Sequence, residues 1–327
     1  MIGQHLALAG WIPFRIRADA GRHMTDWCYL GEDVFDDPFF EQTIQRCLRK
    51  PFNQLFGQET PIETLLDWRD VQPGLTPTAF IFHGSRCGST LFSRMAAVLP
   101  RTVVISEAAP IDDVLRARVP DSQRIEWLRA LLSALGQPRR GDERHLFVKF
   151  DAWHAIDLSL VQRAFPDVPS VFLYREPAAV IASQMRMPGL HMVPGMLDPS
   201  VIGLDPPRVL QLDREEYCAR MLSALYAAAL AAGAGGRVML MNYTQLPEAA
   251  SLQLLEWCGR TASHDAREGL HGVAQFDAKT PSLPYDATDV STRPAPSQRA
   301  IDMAARFVGP QYAQLESIRL APTAPVD

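Results

Sequence analysis

The stretch Phe80-Ile-Phe-His-Gly-Ser-Arg-Cys-Gly-Ser-Thr-Leu-Phe92 decides the fold. It begins as an apolar strand, passes through a turn of small residues and continues into the start of a helix. Gly84 and Gly88 allow close approach of the backbone to a ligand, and the first N–H groups of the helix can donate to an anion. The stretch predicts an anion-binding loop, the alternative being a turn that only caps a helix. The loop residues are Gly84, Ser85, Arg86, Cys87, Gly88, Ser89 and Thr90.

This loop differs from a Walker A loop. That motif needs G-x-x-x-x-G-K-[ST], whereas only three residues separate Gly84 from Gly88 and no lysine precedes the hydroxyl residues. Hydrolysis of a nucleoside triphosphate with magnesium is therefore disfavoured. Arg86 stands inside the turn, where its planar guanidinium can hold a phosphate or a sulfate that is being transferred.

Around the loop, short apolar runs alternate with longer helical stretches. Strands are predicted at Thr78–His83, Thr102–Ser106, His145–Phe150, Ser170–Tyr174 and Arg237–Met241. Helices are predicted at Thr90–Leu99, Ser122–Leu135, Ala155–Phe165, Pro177–Arg186 and Arg214–Ala232. The alternation predicts an α/β fold with a parallel β-sheet flanked by helices, which binds ligands at the carboxyl ends of its strands.

The domain organisation follows from this pattern. One α/β domain is predicted over residues 76–320, and residues 321–327 are expected to form a flexible tail. Residues 1–75 carry several Trp and Phe residues among acidic ones, which predicts a helical lead-in packed on the core.

Composition restricts the partners. The chain has 327 residues with 47% hydrophobic content, and its formal charge of −5 gives no general attraction to nucleic acid. Its five cysteines are scattered without metal-ligand spacing, so we expect reduced thiols, a cytoplasmic location and no metal. No apolar run approaches the roughly 18 residues of a membrane span, so no stable membrane insertion is expected. Oligomeric state has no signature here.

A second strand ends in a basic turn at Val171-Phe-Leu-Tyr-Arg-Glu-Pro-Ala-Ala-Val-Ile-Ala-Ser183. Arg175 stands at the carboxyl end of the strand, Pro177 opens a helix, and Ser183 follows about two turns later. Arg175 and Ser183 can therefore converge on one anion. The alternative pairs Arg175 with Glu176 or another carboxylate.

Together the two segments resemble the sulfotransferases that use 3′-phosphoadenosine 5′-phosphosulfate (PAPS). The loop from Arg86 to Thr90 looks like that family's 5′-phosphosulfate loop, in the arginine-bearing form of many bacterial members and of tyrosylprotein sulfotransferases. Arg175 and Ser183 match the family's 3′-phosphate motif, and Tyr243, in Val238-Met-Leu-Met-Asn-Tyr-Thr-Gln-Leu246, is similar to its adenine contact. The resemblance covers residues 78–258.

The resemblance implies a P-loop-like sulfotransferase fold and transfer of a sulfuryl group from PAPS to a hydroxyl or amine on a small molecule or biopolymer, without a metal. It makes Glu107, at the end of Val103-Val-Ile-Ser-Glu107, the leading general base, with a salt-bridge role as the alternative. Lys149 is placed near the leaving phosphate. The sequence departs from the family at Asp151, which stands where cytosolic members have a histidine. The family's glycine-rich C-terminal phosphate clamp has no visible counterpart, and Lys279 is a candidate substitute for it.

Several assignments stay open at this stage. Asp151 is the second candidate base and His154 the third, and a Lys149–Asp151 ion pair is an alternative to a catalytic lysine. We expect His83 to pack under the loop and His191 to line the acceptor pocket or lie on a surface loop. The rival functions are a nucleotide-dependent kinase of the P-loop class and a non-catalytic nucleotide-binding protein on the same fold.

Overall fold

The computed structural model describes residues 8–19, 21–233, 238–261, 263–280, 282–283 and 295–321. The predicted tail therefore lies outside the described residues, except for Ala321. Within the described part, no helix combines the length and apolar character needed to cross a membrane.

The N-terminal segment begins with a three-stranded antiparallel sheet. Strands β1 (Trp11–Asp19) and β2 (Arg22–Tyr29) form a hairpin, and β3 (Gln58–Pro61) pairs with β2. Three helices belong to the same segment: α1 (Phe40–Leu48), α2 (Pro51–Leu55) and α3 (Ile62–Val71).

The helical lead-in predicted for residues 1–75 therefore needs correction, because its described part contains three strands as well as three helices. The run Phe14-Arg15-Ile16-Arg17 alternates apolar and charged residues, which is the period of a strand, and Gly21 adopts a left-handed conformation (φ 80°) at the hairpin turn. The segment does pack on the rest of the protein. The Ile16 N–H donates to Asp113 Oδ2 over 2.7 Å, and the ring centroids of His23 and Trp127 lie 4.6 Å apart.

A five-stranded parallel sheet forms the centre of the protein. Its strands are β4 (Ala79–His83), β5 (Thr102–Ser106), β6 (His145–Lys149), β7 (Ser170–Tyr174) and β8 (Val238–Asn242), arranged in the order β5-β6-β4-β7-β8. Each strand lies within one residue of its predicted bounds, so the predicted α/β class is confirmed.

Helices cover both faces of this sheet. Along β4, Phe80 and Phe82 belong to one buried cluster and Ala79 and Ile81 to another, as the two-residue period of a strand requires. The helices are α4 (Ser89–Ala97), α5 (Ala109–Arg116), α6 (Asp121–Leu135), α7 (Leu158–Ala164), α8 (Pro177–Arg186), α9 (Pro206–Val209), α10 (Arg214–Gly233), α11 (Glu248–Trp257), α12 (His264–Val273), α13 (Gln298–Phe307) and α14 (Gly309–Leu320). The helix predicted at Ala155–Phe165 is divided between a 3-10 helix, Ala152–Asp157, and α7.

Strand order decides where the site lies. Because β4 is central and lies between β6 and β7, the loop after β4 is flanked by the carboxyl ends of both. Lys149 ends β6, Arg175 follows β7, and Glu107 follows β5, the next strand outward. All three residues are therefore delivered to one edge of the sheet.

Candidate functional site

The loop after β4 has a strained backbone. Ser85 (φ 70°), Arg86 (φ 52°) and Gly88 (φ 81°) all adopt left-handed conformations, which are unfavourable for the two residues that carry side chains. The Ser85 N–H donates to His83 Nδ1 over 3.2 Å, so His83 does pack under the loop. The Cys87 thiol donates to the Leu173 carbonyl over 3.2 Å. These bonds fix the conformation of the turn at the start of α4.

Arg175 and Tyr243 meet beside this loop. The Arg175 guanidinium carbon lies 4.3 Å from the centroid of the Tyr243 ring, and Nη1 donates to the Arg86 carbonyl over 3.4 Å. The Tyr226 hydroxyl fixes the Arg175 backbone, donating to its carbonyl over 2.6 Å. Glu176 does not serve as the ion-pair partner, because its carboxylate accepts from two N–H groups at the start of α8. Three predicted nucleotide-binding elements are thus brought together.

Two other predicted nucleotide ligands are placed less directly. Ser183 lies half-buried in α8, and its hydroxyl makes no hydrogen bond with any residue in the described part of the chain. Lys279 follows α12 and keeps much of its surface exposed. Desolvation, with the nearby positive charges of Arg86 and Lys149, lowers its pKa. Lys279 therefore adds to the positive potential of the site.

Lys149 is completely buried beneath the loop. Its Nζ lies 2.6 Å from Glu107 Oε1 and 3.3 Å from Thr90 Oγ1, and it stands 5.0 Å from the centroid of the Phe39 ring. Its ion-pair partner is Glu107 and not Asp151, so the structure replaces the Lys149–Asp151 pair considered from the sequence. The reason is strand order: the Glu107 N–H donates to the Lys149 carbonyl over 2.8 Å, which sets the two residues side by side.

Glu107 is held in its ionised form. Burial opposes ionisation, but the Lys149 ammonium and the neighbouring His83 outweigh burial and lower the pKa of the carboxyl below its usual range. His83 Nε2 lies 3.5 Å from Glu107 Oε1. Because His83 Nδ1 accepts a hydrogen bond from Ser85, the proton of the neutral imidazole belongs on Nε2, facing Glu107. Glu107 retains 23% of its side-chain surface, so it can still meet a substrate.

Asp151 has the opposite electrostatic environment. Burial, with the negative charges of Glu107 and Asp112, raises its pKa well above the usual range. His154, the third candidate base, has both ring nitrogens engaged: Nδ1 accepts from the Asp151 N–H over 3.2 Å, and Nε2 lies 2.8 Å from Asp112 Oδ1. His154 is therefore a structural residue, and the two carboxyls Glu107 and Asp151 remain as the candidate bases.

Comparisons with known proteins give only distant similarities. No family model and no curated protein matches the chain. Among solved structures, a sulfotransferase from Mycobacterium avium is similar at 12% identity with a TM-score of 0.48, covering 88% of this chain and 92% of that one. A sulfotransferase from Alicyclobacillus acidocaldarius has 12% identity and a TM-score of 0.43, covering 75% and 96%. A mouse sulfotransferase complexed with PAP (3′-phosphoadenosine 5′-phosphate) has 12% identity and a TM-score of 0.38, and the match covers 80% of this chain and 90% of that one.

Several residues at the site could not be found from the sequence. Phe39 comes from the N-terminal segment, and Tyr226 comes from the middle of α10. Gln184 Nε2 donates to Ser85 Oγ over 2.8 Å, and Arg86 donates to the Met187 carbonyl. No local pattern marks such long-range contacts. In the described residues, no group of three or more His, Cys, Asp and Glu side chains is arranged to hold a metal ion.

Gly88 offers a direct test of the loop. A Cβ at this position would lie 2.3 Å from Leu246 Cδ1 and 3.2 Å from a Tyr243 ring carbon, in a backbone conformation that side chains rarely adopt. Gly88→Ala should therefore lower the unfolding midpoint and weaken nucleotide binding at least about tenfold. Gly141→Ala is the control, because Gly141 has a similar φ of 81° but open space around it. Equal nucleotide affinity in both variants, measured by calorimetry, would refute the close packing of the loop on Tyr243.

Proposed function

We propose that the protein transfers a sulfuryl group from PAPS to a hydroxyl or amine acceptor. The observation that carries the proposal is the convergence, at one sheet edge, of the loop around Arg86, the Arg175–Tyr243 pair and the Lys149–Glu107 pair. The first two suit a nucleotide with phosphate groups at both ends of its ribose. The third supplies a cation and a base where group transfer would occur.

Each element has a role in binding PAPS. The N–H groups of the loop and the start of α4 face the 5′-phosphosulfate, and Arg86 holds its oxygens. Tyr243 contacts the adenine, and Arg175, already fixed by Tyr226, takes the 3′-phosphate with Ser183. Lys279 adds positive charge near Arg86. All five cysteines are free thiols, which suits the reducing cytoplasm proposed as the location of the enzyme.

The transfer is an in-line displacement at sulfur. The acceptor oxygen attacks sulfur with a lone pair while the bond from sulfur to the bridging phosphate oxygen breaks. The electron pair of that bond leaves with 3′-phosphoadenosine 5′-phosphate (PAP), whose added charge Lys149 neutralises. Glu107 receives the acceptor's proton. Since bound phosphosulfate would compete for Lys149, it would weaken the ion pair that lowers the pKa of Glu107 and make the carboxylate a stronger base.

The rival functions fit these features less well. A P-loop kinase would use a lysine after the second loop glycine, and this chain has Ser89 there. A non-catalytic nucleotide-binding protein would have no need to keep Lys149 and Glu107 paired in a desolvated site beside the loop, where both charges are costly to bury.

Loss of Arg175 tests the nucleotide assignment. A lost charged hydrogen bond is worth about 1.5–3 kcal/mol, so Arg175→Ala should bind PAP about ten- to a hundred-fold more weakly, while adenosine 5′-phosphate binds almost as before. Calorimetric titration measures both. Arg186→Ala is the matched control, because Arg186 is an exposed arginine at the end of the following helix. Equal weakening of both nucleotides would show that Arg175 does not hold the 3′-phosphate.

A further inference from the structure

A histidine that the mechanism above does not use is buried beside the site. His191 lies in the 3-10 helix Leu190–Met192 and is 4% exposed. Neither ring nitrogen has a hydrogen-bond partner among the described residues. Burying a polar atom without a partner destabilises a folded protein, so an imidazole of this kind calls for a ligand or a function.

The segment that carries His191 is tied to the anion-binding loop. Gln184 donates to Ser85 Oγ over 2.8 Å and accepts from the Gly189 N–H over 2.8 Å, and Arg86 donates to the Met187 carbonyl. The His191 ring packs directly on Gly189, where an added Cβ would lie only 2.9 Å from Cε1. The imidazole is thus held in place from the loop itself.

The surroundings of His191 include Trp153 and the charges of Glu107 and Arg86. Its ring centroid lies 5.4 Å from that of Trp153, in the 3-10 helix that follows Asp151. Burial lowers the pKa of His191 to about 3, with further effects from the charges of His83, Glu107 and Arg86. A ring this weakly basic stays neutral, with one nitrogen able to accept a hydrogen bond and the other able to donate one.

We infer that His191 holds the acceptor, receiving a hydrogen bond from its hydroxyl group and so aligning the oxygen for attack on sulfur. This inference rests on the proposed function. It assigns His191 to positioning and leaves proton removal to a carboxylate. It also favours uncharged hydroxyl compounds over ammonium-bearing acceptors, since a cation would be desolvated there beside Arg86.

His191→Phe tests the inference, because phenylalanine fills similar space without a hydrogen-bonding atom. With phenol and ring-substituted phenols as acceptor probes, kcat/KM for the acceptor should fall about ten- to a hundred-fold, mainly through KM. PAP affinity should stay within about threefold, the shape of the pH–rate profile should persist, and the unfolding midpoint should hold or rise. His191→Gln should recover part of the loss. His264→Phe, at an exposed histidine of α12, is the control.

Four results would overturn the inference. A lower unfolding midpoint with unchanged kcat/KM would make His191 structural. Loss of the acidic limb of the pH–rate profile would make it the base. The proposed function would be refuted if the wild-type protein bound no PAP. It would also be refuted if the wild-type protein released no PAP from PAPS with either a phenol or water as acceptor. Either result would remove the basis of the inference as well. Wild-type activity with an unimpaired His191→Phe variant refutes the inference alone.

Discussion

Glu107→Gln is expected to lower turnover by about 10²–10⁴-fold, the usual worth of general-base catalysis. In the proposed mechanism the carboxylate acts on the acceptor's proton in the transition state and does not hold the nucleotide, so PAP binding should remain nearly intact. Glutamine keeps the size of the side chain beside Lys149 and His83. The measurement is kcat at saturating PAPS together with PAP affinity by calorimetry.

Asp151→Asn is the matched control for this prediction. Asp151 is the other carboxyl at the same strand ends, and its raised pKa would make the ionised carboxylate a stronger proton acceptor. If Asp151→Asn abolishes turnover while Glu107→Gln remains active, Asp151 is the general base and Glu107 is the structural partner of Lys149. If neither change slows transfer, the acceptor loses its proton to solvent.

Lys149→Met should reduce turnover by about 10²–10³-fold, because the proposed mechanism gives Lys149 the task of neutralising the leaving phosphate. It should also destabilise the protein, since Glu107 would be left ionised without its ammonium partner. Breaking a buried ion pair costs about 3–5 kcal/mol, and somewhat less is expected here because Glu107 is 23% exposed. Chemical denaturation measures the free energy of unfolding, and PAP release measures turnover.

The double variant Lys149→Met with Glu107→Gln separates the two effects. Removing both charges should restore most of the stability but none of the activity.

The pH dependence of the unfolding free energy has a definite sign. In the wild type the lowered pKa of Glu107 stabilises the fold above about pH 4.3, and this contribution is lost on acidification. In Lys149→Met, burial instead raises the pKa of Glu107. The loss of unfolding free energy relative to the wild type should therefore be greatest at neutral pH and shrink toward about pH 4. A double variant as unstable as Lys149→Met would contradict the pairing.

The central sheet could be predicted from the sequence because its strands are short, apolar and bounded by turns, and each was placed within a residue. The turn between β4 and α4 could be predicted for the same reason, since its glycines and its junction between strand and helix are local features, whereas its binding of an anion remains a prediction. The N-terminal hairpin was missed because its tryptophans and phenylalanines were assigned to helices, although Phe14 to Arg17 alternate as a strand does. In this segment the alternation of apolar and charged residues indicates the strand better than the residue types do.

Side-chain partners at the site depended on strand order, which the sequence does not state. Lys149 and Asp151 are two residues apart, which favoured an ion pair between them. Because β5 lies next to β6, Lys149 instead forms its ion pair with Glu107, which is 42 positions away in the sequence. Gln184 and Phe39 reach the site only through tertiary packing. The roles of Arg175, Ser183 and Tyr243 remain predictions, supported by the placement of Arg175 against Tyr243.

Calorimetric titration of the wild-type protein with PAP and with ATP, each with and without magnesium, tests the central claim most directly. The site described here predicts that PAP binds with equal affinity in the presence and absence of magnesium, and more tightly than ATP, because Arg175 and the loop around Arg86 offer cations to both ends of the nucleotide. ATP binding that requires magnesium and exceeds PAP binding would contradict the claim in favour of a kinase. The absence of PAP binding would refute it outright.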